Sequence, residues 1–261
     1  MKVRFFTASF LFVALSAFGA GDEPVQKFEL DVKDFSQLVV DDGLNVEYHS
    51  NDEMAGKAVF SAPKSIADKI LFENNGKGKL LIQKSFHEET EMVSGLPTIE
   101  VYSRFLKSIT NNGDSTVRAI TVRPTLEMNA TVVGNGRLVV RGVDCSKFSG
   151  SIKTGNGTLV VTGKSAEAVL SNTGTGAIQA DNLQAGNVSC RFFGTGTTGC
   201  WATGTLTVKG VMKGKLYYRD TPERIRNFSV GVKIYPLEGT EWLGEKEADS
   251  DGDTGAESDE Q

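Results

Sequence analysis

The sequence predicts an all-β protein, a single-domain right-handed parallel β-helix, or β-solenoid, with coils of about 20 residues. Three observations predict it. Glycine pairs recur at a nearly fixed period along the second half of the chain. Each pair precedes a short run of apolar, mostly β-branched residues, the residue type that fits a pleated strand. Glycine is abundant, at 29 of 261 residues, while proline is scarce at 6. That balance marks a folded chain rich in tight turns, since disordered and collagen-like chains are rich in both.

The first residues read as an address. Lys2 and Arg4 form a basic start and Phe5 to Phe18 is an apolar run broken only by small hydroxyl residues, the pattern of a secretory signal peptide. A spanning helix needs about 20 apolar residues, and this run gives out at Gly19, ahead of Asp22 and Glu23. Ala17 and Gly19 stand three and one before a cut, so residues 1–19 are expected to be removed. No second long apolar run follows, so no transmembrane segment is expected in the remainder, and the expected location is the periplasm, the cell surface or the medium.

Residues 28 to 110 show strands without the tight repeat, at Phe35 to Val40, Leu44 to Tyr48, Lys79 to Gln83 and Thr98 to Tyr102. These are expected to be the opening coils and the cap, because the terminal repeats of a solenoid are atypical. Ser65 to Phe72 is expected to hold one or two helical turns.

The repeat itself is clearest from residue 134. Gly134-Asn135-Gly136 precedes Leu138-Val139-Val140, Gly155-Asn156-Gly157 precedes Leu159-Val160-Val161, Gly174-Thr175-Gly176 leads into Ala177-Ile178, and Gly194-Thr195-Gly196 stands ahead of Trp201. The first glycine of each pair thus returns at a nearly constant step, one coil at a time. Degenerate copies occur at Gly113-Asp114-Ser115, Met212-Lys213-Gly214 and Ser229-Val230-Gly231. Glycine tolerates positive φ, so these pairs are expected to turn the chain sharply. Stacking is expected to place Leu138, Leu159 and Ile178 in neighbouring layers. Asn135 and Asn156 are read as a structural ladder in the turns.

Residues 241–261 hold nine acidic residues and one lysine, a balance of −8 against −5 for the whole chain, which leaves +3 for residues 1–240. Such a block is expected to be a disordered, solvated tail. Asp249, Asp251, Asp253 and Glu260 have part of the spacing of a calcium loop, but position 6 is Thr254 in place of glycine. No basic stripe of the kind nucleic acid requires is present.

Phe35-Ser36-Gln37-Leu38-Val39-Val40-Asp41-Asp42-Gly43-Leu44-Asn45-Val46 resembles the opening of the bacterial autotransporter-adhesin family with a head GIN domain, with Gly43-Leu44-Asn45 at the Gly-Ile-Asn position. Leu80-Leu81-Ile82, Ile99-Glu100-Val101, Leu106-Lys107-Ser108-Ile109 and Gly214-Lys215-Leu216-Tyr217-Tyr218 with Pro222 follow the family's order. The likeness spans roughly residues 28 to 235 of a predicted domain at 20–240. Leu44 for isoleucine and Arg219 for glycine depart from it. The resemblance implies an exported β-helical protein with an adhesive or surface role, and no catalytic residues.

Chemistry is thin elsewhere. His49 and His87 are the only histidines, and no metal-ligand spacing accompanies them. Cys145, Cys190 and Cys200 are read as small buried apolar residues, with a Cys190–Cys200 bridge across one coil as the alternative. Asp114, Asp144, Glu167 and Asp181 fall at different phases of the period and are read as solvated turn residues, so a carbohydrate-active β-helix enzyme is the weaker alternative. A structural envelope protein without a ligand is the other. The aromatics Phe192, Phe193, Trp201, Tyr217 and Tyr218 cluster in the late coils. They are read either as filling the wider end of the core or, where they face outward, as the contact residues for an extracellular glycan or protein ligand, and no cofactor or metal is expected.

Overall fold

A computed structural model describes residues 23–85 and 96–237. The expected leader, His87 and the acidic tail lie outside the described residues. The elements are β1 (Gln26–Asp31), β2 (Gln37–Val40), β3 (Asn45–Ser50), β4 (Lys57–Ala62), α1 (Lys64–Ala67), β5 (Ile70–Asn74), β6 (Lys79–Lys84), β7 (Thr98–Ser103), β8 (Ser108–Asn111), β9 (Thr116–Thr121), β10 (Thr125–Val132), β11 (Arg137–Ile152), β12 (Thr158–Asn172), β13 (Ala177–Phe192), β14 (Thr197–Gly210), β15 (Lys215–Tyr218), β16 (Arg224–Ser229) and β17 (Lys233–Pro236).

The strands form two parallel ladders. One runs β7, β3, β9, β11, β12, β13, β14, β15, β17, and the other runs β6, β2, β8, β10, β11, β12, β13, β14, β16. Strands β11 to β14 serve both. Each is long enough to contribute to one ladder, slip in register and continue in the other, as at Val140/Val143, Val160/Thr162 and Ala180/Gln184. This is the parallel β-solenoid that the glycine period predicts.

Alternation along each strand builds the core. Ile99, Val46, Val117, Leu138, Leu159, Ile178, Thr198 and Leu216 stand in register down one side, and Leu80, Leu38, Ile109, Ala130, Gly150, Leu170, Cys190 and Val208 down the other. All the apolar side chains among them are buried. A single coil has one layer of such residues and nothing to bury it against, so cohesion comes from stacking.

Glycine has a different task from the expected one. Of the four clear pairs only Gly134 (φ 97°) and Gly155 (φ 78°) take positive φ. What the pairs share is crowding. A Cβ on Gly174 would lie 2.3 Å from the Gly155 carbonyl oxygen, and one on Gly194 would lie 2.1 Å from that of Gly174. Successive turns approach so closely that a side chain does not fit between their backbones. The asparagine ladder is also real but partial. The Asn156 N–H donates to Asn135 Oδ1 at 2.9 Å. Buried Asn111 and Asn172 do more, each donating from Nδ2 to a carbonyl of its own turn (Ser115, Gly176) and one of the next coil (Arg137, Thr197).

The opening region is not threaded in chain order. The coil made by β2 and β3 lies between the coil of β6 and β7 and that of β8 and β9. Antiparallel strands then close this end, with β4 pairing β7 and β1, and β5 pairing β6. Their side chains seal the core through the ring stack Phe28, Phe60, Phe72. The expected helix is the single turn α1, after which Ile70–Asn74 is strand. At the other end β16 pairs only with β14 and β17 only with β15 among the described residues. Ile225, in register with buried Leu206, is accordingly 41% exposed.

Candidate functional site

The late coils separate the five predicted aromatics by strand phase. Phe192 ends β13 pointing inward and is fully buried, so it is a core residue and leaves the candidate site. Phe193, one residue on, is 58% exposed at the tip of the turn. Trp201, Tyr217 and Tyr218 are half-buried. Tyr218 packs against the core beside Leu216, whereas Tyr217 alternates outward and stacks on Tyr235 of the next coil at 5.4 Å with planes 25° apart. Tyr235 is not singled out by the sequence reading, although it stands one repeat after Tyr217 and in register with it.

Beside this pair the chain turns at Arg219, whose guanidinium carbon lies 5.8 Å from the centroid of the Trp201 ring. Arg219 also donates from Nη2 to Asp181 Oδ2 at 3.1 Å. Asp181 is 2% exposed, which corrects its reading as a solvated turn residue. It is held where β13 slips between ladders, and its charge is answered across two coils. Arg219 Nε is buried without a hydrogen-bond partner among the described residues. The result is a shelf of Tyr217, Tyr235, Trp201 and Arg219, anchored below by Asp181.

The other candidates are dispersed. Asp144 meets Lys164 at 3.3 Å. His49 stacks on Tyr102, whose hydroxyl donates to Glu100. Burial and that carboxylate push the Tyr102 phenol up to about 12. Cys145, Cys190 and Cys200 are free and buried. The neighbouring Cys200 thiol, together with burial, holds the Cys190 thiol well above its usual range. No cluster of three metal-ligating side chains occurs among the described residues, and no helix among them is long and apolar enough to cross a membrane. Near the closed end, Gln37, Phe105, Arg123, Leu126 and Asn129 line an open groove of about 660 Å³ that sequence patterning does not reveal.

Two stacked ladders, one sealed end and an outward aromatic shelf define a parallel β-solenoid of the kind that presents a rigid surface. The chain belongs to the family described as "Putative auto-transporter adhesin, head GIN domain", which matches residues 34–222. Among solved structures it is similar to a "putative adhesin" from Bacteroides fragilis, with 20% identity and a TM-score of 0.73 over 83% of this chain and 98% of that one. It is also similar to a "putative adhesin" from Parabacteroides distasonis, at 18% identity and a TM-score of 0.62 over 83% and 98% of the two chains. A "putative lipid binding protein" from the same organism matches at 19% identity and 0.65 over 84% and 98%. At these identities the likeness is one of fold. No curated protein matches the sequence.

Proposed function

We propose that the protein is an exported, non-catalytic binding protein of the adhesin type that holds an extracellular glycan on the aromatic shelf of its last coils. Family membership supports the adhesive role, and the leader-like residues 1–19 support export. The observation that carries the site is the outward Tyr217–Tyr235 stack beside Trp201 and Arg219. Sugars lay their C–H faces on aromatic rings, and tyrosine gives much contact area for little lost side-chain entropy. A protein ligand would use the same shelf.

The test is a glycan array and pull-down on residues 20–261, comparing the parent with Tyr217→Ala and Tyr235→Ala. Each substitution should weaken binding by roughly 1–3 kcal/mol while the circular dichroism spectrum is unchanged. Undiminished binding by both variants would remove the shelf from the function. Hydrolysis of any arrayed glycan would favour the enzyme reading.

A further inference from the structure

The last coils carry a second surface that the aromatic shelf does not use. Phe192, Gly210 and Ser229 are in register, so the residues that follow them, Phe193, Val211 and Val230, form the tips of three successive turns. They are 58%, 73% and 72% exposed, and Met212 beside them is 39% exposed. The equivalent tips one and two coils earlier are Thr173 and Lys153. Coils are spaced about 4.8 Å apart, so the three tips make a convex apolar ridge roughly 10 Å long. Seven of the eleven large hydrophobic side chains exposed among the described residues lie between Phe193 and Tyr235.

Charge is as uneven as hydropathy. From Asn182 to Leu237 there are eight Lys and Arg residues and only two acids, Asp220 and Glu223, in a chain whose net charge is −5. Arg191 and Lys209 are in register on the strands leading into the ridge, and Lys213 follows Met212. A protein partner for a convex ridge would have to supply a matching groove. A bilayer interface needs no matching shape, takes apolar side chains a few ångströms deep, and meets flanking cations with anionic headgroups.

We infer that this corner is a membrane-docking edge, with Phe193, Val211, Met212 and Val230 entering the interface of a bilayer that carries anionic lipids and with Arg191, Lys209 and Lys213 meeting its headgroups. Docking through these turns leaves the strand-borne Tyr217–Tyr235 pair available, so the edge would hold the protein on an envelope while the shelf faces its ligand.

Co-sedimentation with phosphatidylcholine vesicles, with and without phosphatidylglycerol, tests this on residues 20–261, since the apolar run of residues 1–19 would itself partition. The parent should bind the anionic vesicles, bind neutral ones weakly, and release at raised salt. Because the net charge of the chain opposes such binding, salt-sensitive attachment has to come from a local cluster. Phe193→Ser combined with Val211→Ser and Val230→Ser should lower the partition coefficient roughly tenfold or more, as should Lys209→Ser with Lys213→Ser. All these side chains are exposed, so the melting temperature should hold. A Phe193→Trp variant gives a second readout, with blue-shifted emission on adding anionic vesicles. Absence of binding to anionic vesicles, equal binding by the ridge variants, or self-association abolished by those same variants would overturn the inference. The glycan reading would stand in each case, because it rests on other residues.

Discussion

The crowding of the glycine turns can be measured at Gly176. A Cβ built there meets the Gly157 carbonyl oxygen at 2.0 Å, the Gly157 nitrogen at 2.8 Å and the Asn156 carbonyl carbon at 2.9 Å. All three are backbone atoms, so no rotamer change relieves the contact. The coils must move apart, yet the same Gly157 oxygen accepts the Ala177 N–H at 3.0 Å. Overpacking of this kind costs about 1–3 kcal/mol and a lost inter-coil hydrogen bond about 1 kcal/mol more, so Gly176→Ala should destabilise by about 3 kcal/mol. Gly142 supplies the contrast, since it has φ 71° but nothing within 4 Å of a built Cβ. Gly142→Ala carries only the cost of left-handed backbone, about 1 kcal/mol. For a domain of this size each kcal/mol shifts the melting temperature by roughly 2–4 °C. Thermal melts followed by far-ultraviolet circular dichroism should therefore separate the two variants, with losses of about 6–12 °C and about 2–4 °C. If Gly176→Ala melts with the parent, or no lower than Gly142→Ala, steric stacking is not what these glycines serve.

Other consequences can be checked on the same protein. Asp181→Ala strands Arg219 beside Trp201 and should cost about 2 kcal/mol, less than the full penalty of a buried pair because the Arg219 side chain is 25% exposed. The double variant with Arg219→Ala should lose less than the sum of the singles. The raised Tyr102 phenol makes the neutral form the one the fold prefers. Its stabilising contribution is complete below the ordinary tyrosine value near 10 and falls as pH rises through about 12. Tyr102→Phe should flatten that alkaline loss, as read from melts across the range and from phenolate absorbance. All three cysteines should be silent to a thiol reagent in the native state and give three equivalents on unfolding; a count of one would reveal a Cys190–Cys200 bridge.

Much of the scaffold is legible because a solenoid repeats its physics. The Leu138, Leu159 and Ile178 column follows from period and alternation alone. The same alternation places Phe192 inward and Phe193 outward, yet adjacency on the page groups them as one cluster. Asp181 is misread from sequence because its partner lies 38 residues away, a pairing no local pattern encodes. The glycine positions are readable but their cause is not, since close approach between Gly157 and Gly176 is a property of the stack and not of either turn. The opening coils resist for a related reason. Leu38-Val39-Val40 and Leu80-Leu81-Ile82 are equivalent strands by composition, and nothing in their order says which lies deeper.

That interleaving bears on how the chain reaches its structure. Arg137 finds its partner Thr158 a single coil later, whereas Gln37 must wait for Ser108, several coils' length further along the chain. Closing the longer loop costs about 1 kcal/mol more in chain entropy before any contact rewards it. The rung between β6 and β8 gains its second neighbour late and is therefore a poorer template for growth than the local rungs of β11 to β13. Assembly is expected to begin among β11, β12 and β13, where contacts are local in sequence, and to finish by threading β2 and β3 into place. Pulsed hydrogen exchange would show it as early protection of the Val139 and Val160 amides and late protection of Val39 and Val46. Such an order would leave the coil of β2 and β3 without its inner neighbour until β8 and β9 are present.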